Sequence, residues 1–301
     1  MPLNVPTKTT VRLFLAVVAS LEWQVKTTDI KSAFLQGRSL DRNVCVKPPK
    51  EADVEEGIVW KLKRCLYGLA DASRQFYLSV KEKMLALGCM QSKVEPSLFY
   101  LNVDGELQGM LVSHIDDFLH AGSAVFEQKV MAPLRERFKV GKLEEKSFSY
   151  VGFQIYQDKS GIVMDQSDYV REMERKERRM EVGKLAEYVL TSEEMSHYRG
   201  QIGAINWVVQ CTRPDMAYEL IELSMKSKEA TMGDLRRAGK VISRLQDINS
   251  YIFFPDIKDV ESWSLVVFTD ASHANLSDGV SSAMGCVVFL VGRDGVCCTI
   301  S

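Results

Sequence analysis

An α+β fold is predicted for this chain, and three features of the sequence predict it. Strand-like runs follow one another through tight turns, most clearly Leu98–Val103 and Leu107–Ile115 across Asp104-Gly105, a dipeptide typical of two-residue hairpins. Helical patterns gather separately between Ser192 and Ile248, and strand-like runs return from Ser264 onward. The layout is mixed to about residue 190, helical to about 255 and β-rich after that.

The elements follow in order. Val11–Leu21 (VRLFLAVVASL) reads as a buried helix with Thr9 or Thr10 as its N-cap. Trp23–Asp29 has strand length and β-branched content, and Gly37 breaks the segment after it. Asn43–Lys47 alternates up to Pro48-Pro49, and Ile58–Lys63 is a further strand. Ser73–Leu87 puts Phe76, Val80, Met84 and Leu87 on one helical stripe, with Gly88 at C′. Phe118–Ala121 resumes sheet after Asp116-Asp117, which makes that pair the tip of a second hairpin. Val125–Phe138 is helical, and Tyr150–Gln157 with Ile162–Asp165 forms a hairpin across Lys159-Ser160-Gly161. Gln166–Met180 contains REMERKERRM, a charge-dense helix with a solvated face. Ser192–Val209, Pro214–Met225 and Met232–Ile248 are helical, with Pro214 at an N1 position. Ser264–Phe268, Cys286–Val291 and Val296–Ile300 complete the strands.

Composition narrows the function classes. The chain has 301 residues, 46% hydrophobic and 26% charged, and a net charge of −2, so no global basic field marks a polyanion partner. A local basic groove remains compatible with that balance. Seven cysteines without a C-x-x-C spacing read as reduced, mostly buried thiols of an intracellular protein. Arg12 interrupts the first apolar run and Glu22-Trp23 follows it, unlike a signal peptide, and the run is too short to span a bilayer.

Asp29 ends a strand and Asp116-Asp117 caps a hairpin. If the strands were neighbours, three carboxylates would meet at one sheet edge and could hold two divalent cations about 4 Å apart. An Asp-Asp tip is also a common solvated turn. At such range two carboxylates repel by roughly 4 kcal/mol at an effective dielectric of 20, which water or a cation relieves. The residues alone leave both readings open, along with a third in which His114, Asp116, Asp117 and His120 hold a transition metal.

From Lys26 onward the motifs run KTTDIKSAFLQG, KLKRCLYGLADASRQFY, SKVEPSLFY and LVSHIDDFLHAG, then YVGFQI, YRGQIGAINWVVQCTRPD and FTDASHAN. In this order they closely resemble the reverse transcriptase of copia-type LTR retrotransposons, over essentially the whole chain. The resemblance implies a right-hand polymerase with partial fingers and a palm over residues 1–190, a helical thumb and connection over 191–260, and a truncated ribonuclease H-like segment over 261–301. It implies RNA-directed DNA synthesis with Mg²⁺ (two ions, Mn²⁺ as substitute), an RNA template, a DNA primer and deoxynucleoside triphosphates, in a cytoplasmic, virus-like-particle setting without a membrane.

By the same resemblance Asp29 and Asp116 bridge the metals and Asp117 supports them. Phe34 sits where a ring would exclude a 2′-hydroxyl, Tyr67, Gly68 and Arg74 line the nascent base pair, and His114 stands at a position that helps place primer and nucleotide. Lys61, Lys63 and Arg64 are candidates for phosphate contact. Tyr150–Asp165 is the hairpin gripping the primer end, Thr212–Asp215 is structural, and Asp270 matches the first ribonuclease H carboxylate. His114 replaces the usual Tyr, Ser73 a Pro, Glu95 an Asp, and Asp71 stands near a usual Gln. Glu95 is expected to keep a carboxylate role, and Asp71 to put negative charge near the substrate phosphates. The expected upstream fingers and downstream ribonuclease H acids fall outside this chain, so a fragment or remnant is expected. Its alternative is a catalytically silent palm and thumb that binds nucleic acid.

Overall fold

The computed structural model describes residues 5–173, 183–248, 250–274, 276 and 279–301. The chain forms two compact units, Met1–Lys146 and Ser147–Ser301. Much of the REMERKERRM stretch lies outside the described residues.

The first unit is built on a six-stranded sheet. It contains β1 (Lys26–Ile30), β4 (Met90–Gln91), β5 (Leu98–Val103), β6 (Glu106–His114), β7 (Asp117–Gly122) and β8 (Val140–Glu145), in spatial order β4-β5-β6-β7-β1-β8. Every neighbouring pair is antiparallel. The hairpin expected at Asp104-Gly105 is present, both residues at positive φ as a type I′ turn requires. Asn43–Lys47 and Ile58–Lys63 are reduced to a short pair, β2 (Cys45–Val46) with β3 (Trp60–Lys61).

One face of the sheet carries Phe99, Leu111, Phe118 and Ile30 against Phe76, Val80 and Met84, in one core cluster. A short helix α2 (Ala33–Gln36) follows β1, and the latter three residues lie on α3 (Ala72–Ala86), the stripe expected from the sequence, with Gly88 after it at φ +84°. Phe126 and Phe138 belong to the same core, from a helical segment that runs α4 (Ala124–Phe126), a π turn at Glu127–Met131 and α5 (Ala132–Arg137). Gly109 and Gly122 face each other across β6 and β7, and the Phe126 ring fills the space above both.

Helix α1 (Lys8–Ser20) approaches β6. Its N-cap is Thr7, whose hydroxyl accepts from Thr10 N–H, and not Thr9 or Thr10. Thr7 holds the extended backbone of a cap, and the Thr10 hydroxyl is drawn instead to Glu95. Glu95 also accepts from Thr7 N–H and from the Ser97 backbone and hydroxyl. Burial would raise its carboxyl pKa, and these donors hold it below the ordinary value. In this chain Glu95 ties the start of α1 to the turn before β5, which is a structural task.

In the second unit β9 (Ser147–Tyr150), β10 (Phe153–Asp158), β11 (Gly161–Asp165) and β12 (Tyr251–Pro255) form a sheet in order β12-β11-β10-β9. After α6 (Ser167–Glu172), three helices α7 (Ser192–Cys211), α8 (Ala217–Met225) and α9 (Met232–Asp247) share a core that includes Tyr198, Ile205, Leu223, Leu235 and Ile242. Capping boxes at Thr191/Glu194 and Thr231/Asp234 set the starts of α7 and α9. Arg213, 3% exposed, donates from Nε and Nη2 to Asp215 and from Nη1 to the Ile248 carbonyl. The T-R-P-D stretch therefore fastens the end of α7 to the end of α9, as a structural signature should. Strands β13 (Ser264–Ala271), β14 (Met284–Val291) and β15 (Cys297–Thr299) make a separate three-stranded sheet. None of the seven cysteines is in a disulfide, and four of them are buried.

Candidate active site

The turn between β6 and β7 is a two-residue loop, Ile115-Asp116, closed by the pair His114↔Asp117. Ile115 sits at φ +53°. A β-branched residue at positive φ costs on the order of 1–3 kcal/mol and persists only where the surroundings hold it. The Ile30 N–H donates to the Asp116 carbonyl at 2.9 Å, so β1 is fastened to the tip of this hairpin. That bond places the neighbouring pair Asp29↔Asp117 at a non-hydrogen-bonded position, where facing side chains are closest.

A row of residues therefore crosses adjacent strands on one sheet face: His114 on β6, Asp117 on β7 and Asp29 on β1. Opposite Asp29 the pairing with β8 shifts register, between Thr28↔Leu143 and Ile30↔Val140. Gly141 lies in that irregular stretch, and a Cβ built on it would overlap Asp29 Oδ2 and lie 3.2 Å from Asp29 Cγ. The Asp29 carboxylate thus rests over β8. Nothing in the sequence marked Gly141, because a strand shift between distant segments leaves no local signal.

Asp116 is half-buried at the tip, and Tyr67 Oη donates to its Oδ2 at 3.4 Å. Burial, then the charges of Asp116 and Asp29, push the Asp117 carboxyl up to about 6. Burial and then Asp116 likewise raise Tyr67. The three acids therefore share one field. The His114 imidazole is lowered by burial, partly offset by Asp116.

His120 faces the other side of the sheet, three residues beyond Asp117 on the same strand. It is fully buried against Thr28 Oγ1 at 2.9 Å, and burial, with Arg135 and Lys26, pushes it down to about 3. This corrects the transition-metal reading of His114, Asp116, Asp117 and His120, since the strand alternation separates the two histidines. Among the described residues no three His, Cys, Asp or Glu side chains converge tightly enough to enclose an ion. The donor set at the hairpin nonetheless suits a hard cation, being all carboxylate oxygen, and the charges of Asp116 and Asp29, which add to burial in raising Asp117, are a repulsion that such a cation would relieve.

Phe34, 8% exposed, belongs to the core, and its ring meets Tyr67 at 4.4 Å between centroids, tilted by 50°. Gly68 follows at φ +94°. Arg74 is exposed at the start of α3, close enough to lower Asp71. Asp71 itself is held down first by its bond from Arg42, at 2.6 Å. The negative charge expected near the substrate is therefore matched by a cation from a distant loop, which the sequence did not signal. Lys61 and Lys63 are exposed, while Arg64 Nη1 donates to the Leu35 carbonyl at 3.1 Å. Asp270 is exposed on β13 in the other unit, its Oδ1 accepting from the Ala271 N–H.

A pH prediction follows from Asp117. Its folded-state pKa of about 6 lies above the ordinary 3.8, so its contribution to stability is full below the ordinary value and is lost as pH rises through about 6. Asp117→Asn is expected to gain Tm relative to the parent over that interval, and Mg²⁺ to raise the parent's Tm chiefly above it. Differential scanning calorimetry from pH 4 to 8 checks both; parallel curves for parent and variant would contradict them. The comparison with the variant is needed because His120 acts oppositely, losing stability as pH falls below its ordinary 6.5.

Comparison with known proteins shows what the chain is similar to. Residues 4–182, more than half of the chain, match the family described as Reverse transcriptase (RNA-dependent DNA polymerase). The chain is 26% identical over 295 residues to the retrovirus-related Pol polyprotein from transposon RE1 of Arabidopsis thaliana, covering 94% of this chain and 20% of that polyprotein. It is 25% identical over 232 residues to the retrovirus-related Pol polyprotein from transposon TNT 1-94 of Nicotiana tabacum, covering 70% and 17%. With the putative transposon Ty5-1 protein of Saccharomyces cerevisiae it shares 24% identity over 281 residues, covering 88% of this chain and 89% of that protein. The chain spans about a fifth of the length of the RE1 polyprotein. An antiparallel sheet that brings Asp29 to the Asp116-Asp117 hairpin, the motif order from Lys26 to Asp215, and the match over residues 4–182 lead to one conclusion: the chain belongs to the reverse transcriptase family.

Proposed function

We propose that this chain is the RNA-directed DNA polymerase part of a copia-type retrotransposon Pol polyprotein, extending a DNA primer on an RNA template with deoxynucleoside triphosphates. The reading is carried by the register Asp29↔Asp117, with Asp116 at the adjoining turn, which gathers acids from remote segments at one end of a sheet. Asp29 and Asp116 would hold two Mg²⁺ ions, or Mn²⁺ in their place, with Asp117 in support. Bound there, the cations would activate a primer 3′-hydroxyl and neutralise triphosphate charge.

The chain's own residues orient the reactants. Tyr67 stands with its hydroxyl on Asp116 and its ring on Phe34, so the loop before α3 and the acid-bearing hairpin form one surface. In this reading Phe34 limits room at the sugar, Gly68 admits close backbone approach, and Arg74 faces nucleotide phosphate. His114 adjoins Asp117 in the row and takes the place of a primer-positioning side chain. Lys61 and Lys63 contact the nucleic-acid backbone, and the β10–β11 hairpin grips the primer end.

The domain reading goes with it: palm with partial fingers over 1–190, helical thumb and connection over 191–260, and a ribonuclease H-like segment over 261–301 containing Asp270. No described helix is long and apolar enough to cross a membrane; the proposed setting is cytoplasmic. The test is extension of a labelled DNA primer on an RNA template by the purified chain with Mg²⁺, beside Asp116→Ala. Extension well above that control supports the reading. Absence of extension, with a salt-dependent gel shift on the same primer–template, would replace it by a silent nucleic-acid binder.

A further inference from the structure

We propose that Gly141 is a positioning residue for the Asp29 carboxylate: the space above its Cα lets that carboxylate rest over β8, turned away from Asp116 and Asp117. This rests on the reading of Asp29 as a metal-holding acid and adds what controls its direction.

The geometry is specific. Strand β1 lies between β7, which carries Asp117, and β8, which carries Gly141. Leaning over one of these neighbours means leaning away from the other. A Cβ on Gly141 would overlap Asp29 Oδ2, and its other near contacts, Asp29 Cγ and Lys31 Cγ, are both at 3.2 Å. Gly141 is not among the glycines at positive φ, so its backbone conformation does not require glycine. The empty volume is what the missing side chain provides, and a carboxylate fills it.

Physical reasons favour that resting place without a cation. Asp116 at the turn and Asp117 at the start of β7 already adjoin each other, and a third negative charge beside them is repelled. The shifted β1–β8 register opposite Asp29 supplies a gap on the far side. The site thereby has two arrangements, one with Asp29 parked over Gly141 and one with it rotated toward its partners. Binding a cation selects the second and is weakened by whatever free energy holds the first. A methyl at 141 removes the parked arrangement, and the obstructing atoms are the movable end of a side chain, not backbone.

The test compares the full chain with Gly141→Ala by two readouts that need no catalysis. Mn²⁺ affinity, followed by electron paramagnetic resonance, is expected to tighten about fivefold, the scale of one side-chain rotamer preference. The Asp29 side-chain rotamer in the metal-free protein, read from NMR scalar couplings, is expected to change as the added methyl displaces the carboxylate from its place over β8. Unchanged or weaker Mn²⁺ binding together with an unchanged Asp29 rotamer overturns the proposal. If Gly141→Ala alone does not fold, the Gly141→Ala/Asp29→Gly pair is expected to fold, and its failure overturns the proposal equally. Asp29→Asn alone separates the two levels: Mn²⁺ binding equal to the parent's would defeat the metal reading, whereas the Asp29 rotamer in parent and Gly141→Ala judges Gly141 regardless.

Discussion

Asp116→Asn is expected to lower RNA-templated primer extension by on the order of 10³-fold and to raise Tm in metal-free buffer. The two effects are expected with opposite sign because, in the proposed function, the same charge serves catalysis while it opposes folding. Asp116 sits at a turn already strained by Ile115 at φ +53°, beside Asp117, whose carboxyl is pushed up to about 6. Removing one charge lets the other ionise more easily, and the isosteric amide keeps the hydrogen bond from Tyr67. A variant that merely unfolded would lose activity and Tm together, so measuring both distinguishes a site acid from a structural one. Loss of Tm with retained extension would contradict the assignment.

The second large effect concerns Phe34. Phe34→Val is expected to relax discrimination against ribonucleotides by on the order of 10²-fold and to cost about 2 kcal/mol of stability. The ring is buried beneath Tyr67 at 4.4 Å between centroids, so it supports the exposed tyrosine, and in the proposed function it also limits room at the sugar. Incorporation of matched ribo- and deoxyribonucleotides by parent and variant, on one RNA template, reads the ratio. A stability loss with an unchanged ratio would leave Phe34 as core only.

The features that could be read from the sequence were the local ones. Asp104-Gly105 marked its hairpin because a type I′ turn needs positive φ at both residues. The stripe of Phe76, Val80 and Met84 marked α3 because period and burial agree there. The hairpin at Asp116-Asp117 was legible because apolar runs on both sides pair with each other, but its tip lies one residue earlier, at Ile115-Asp116, and Asp117 already pairs with His114 in the sheet. What escaped depends on how distant segments align. The row from His114 through Asp117 to Asp29 follows from two strand registers, and Gly141 from a shift in a third. Arg42 on Asp71 and Glu95 on the start of α1 are likewise contacts between loops, with no periodicity to announce them. Thr7 displaced Thr9 and Thr10 as N-cap because Glu95, far along the chain, claims the Thr10 hydroxyl.

The carboxylate site is tested most directly by counting bound Mn²⁺ with electron paramagnetic resonance, on the full chain with primer–template and a deoxynucleoside triphosphate. Two ions per chain are expected for the parent, with binding lost in both Asp29→Asn and Asp116→Asn. Equal Mn²⁺ occupancy in parent and variants would contradict the assignment of these acids.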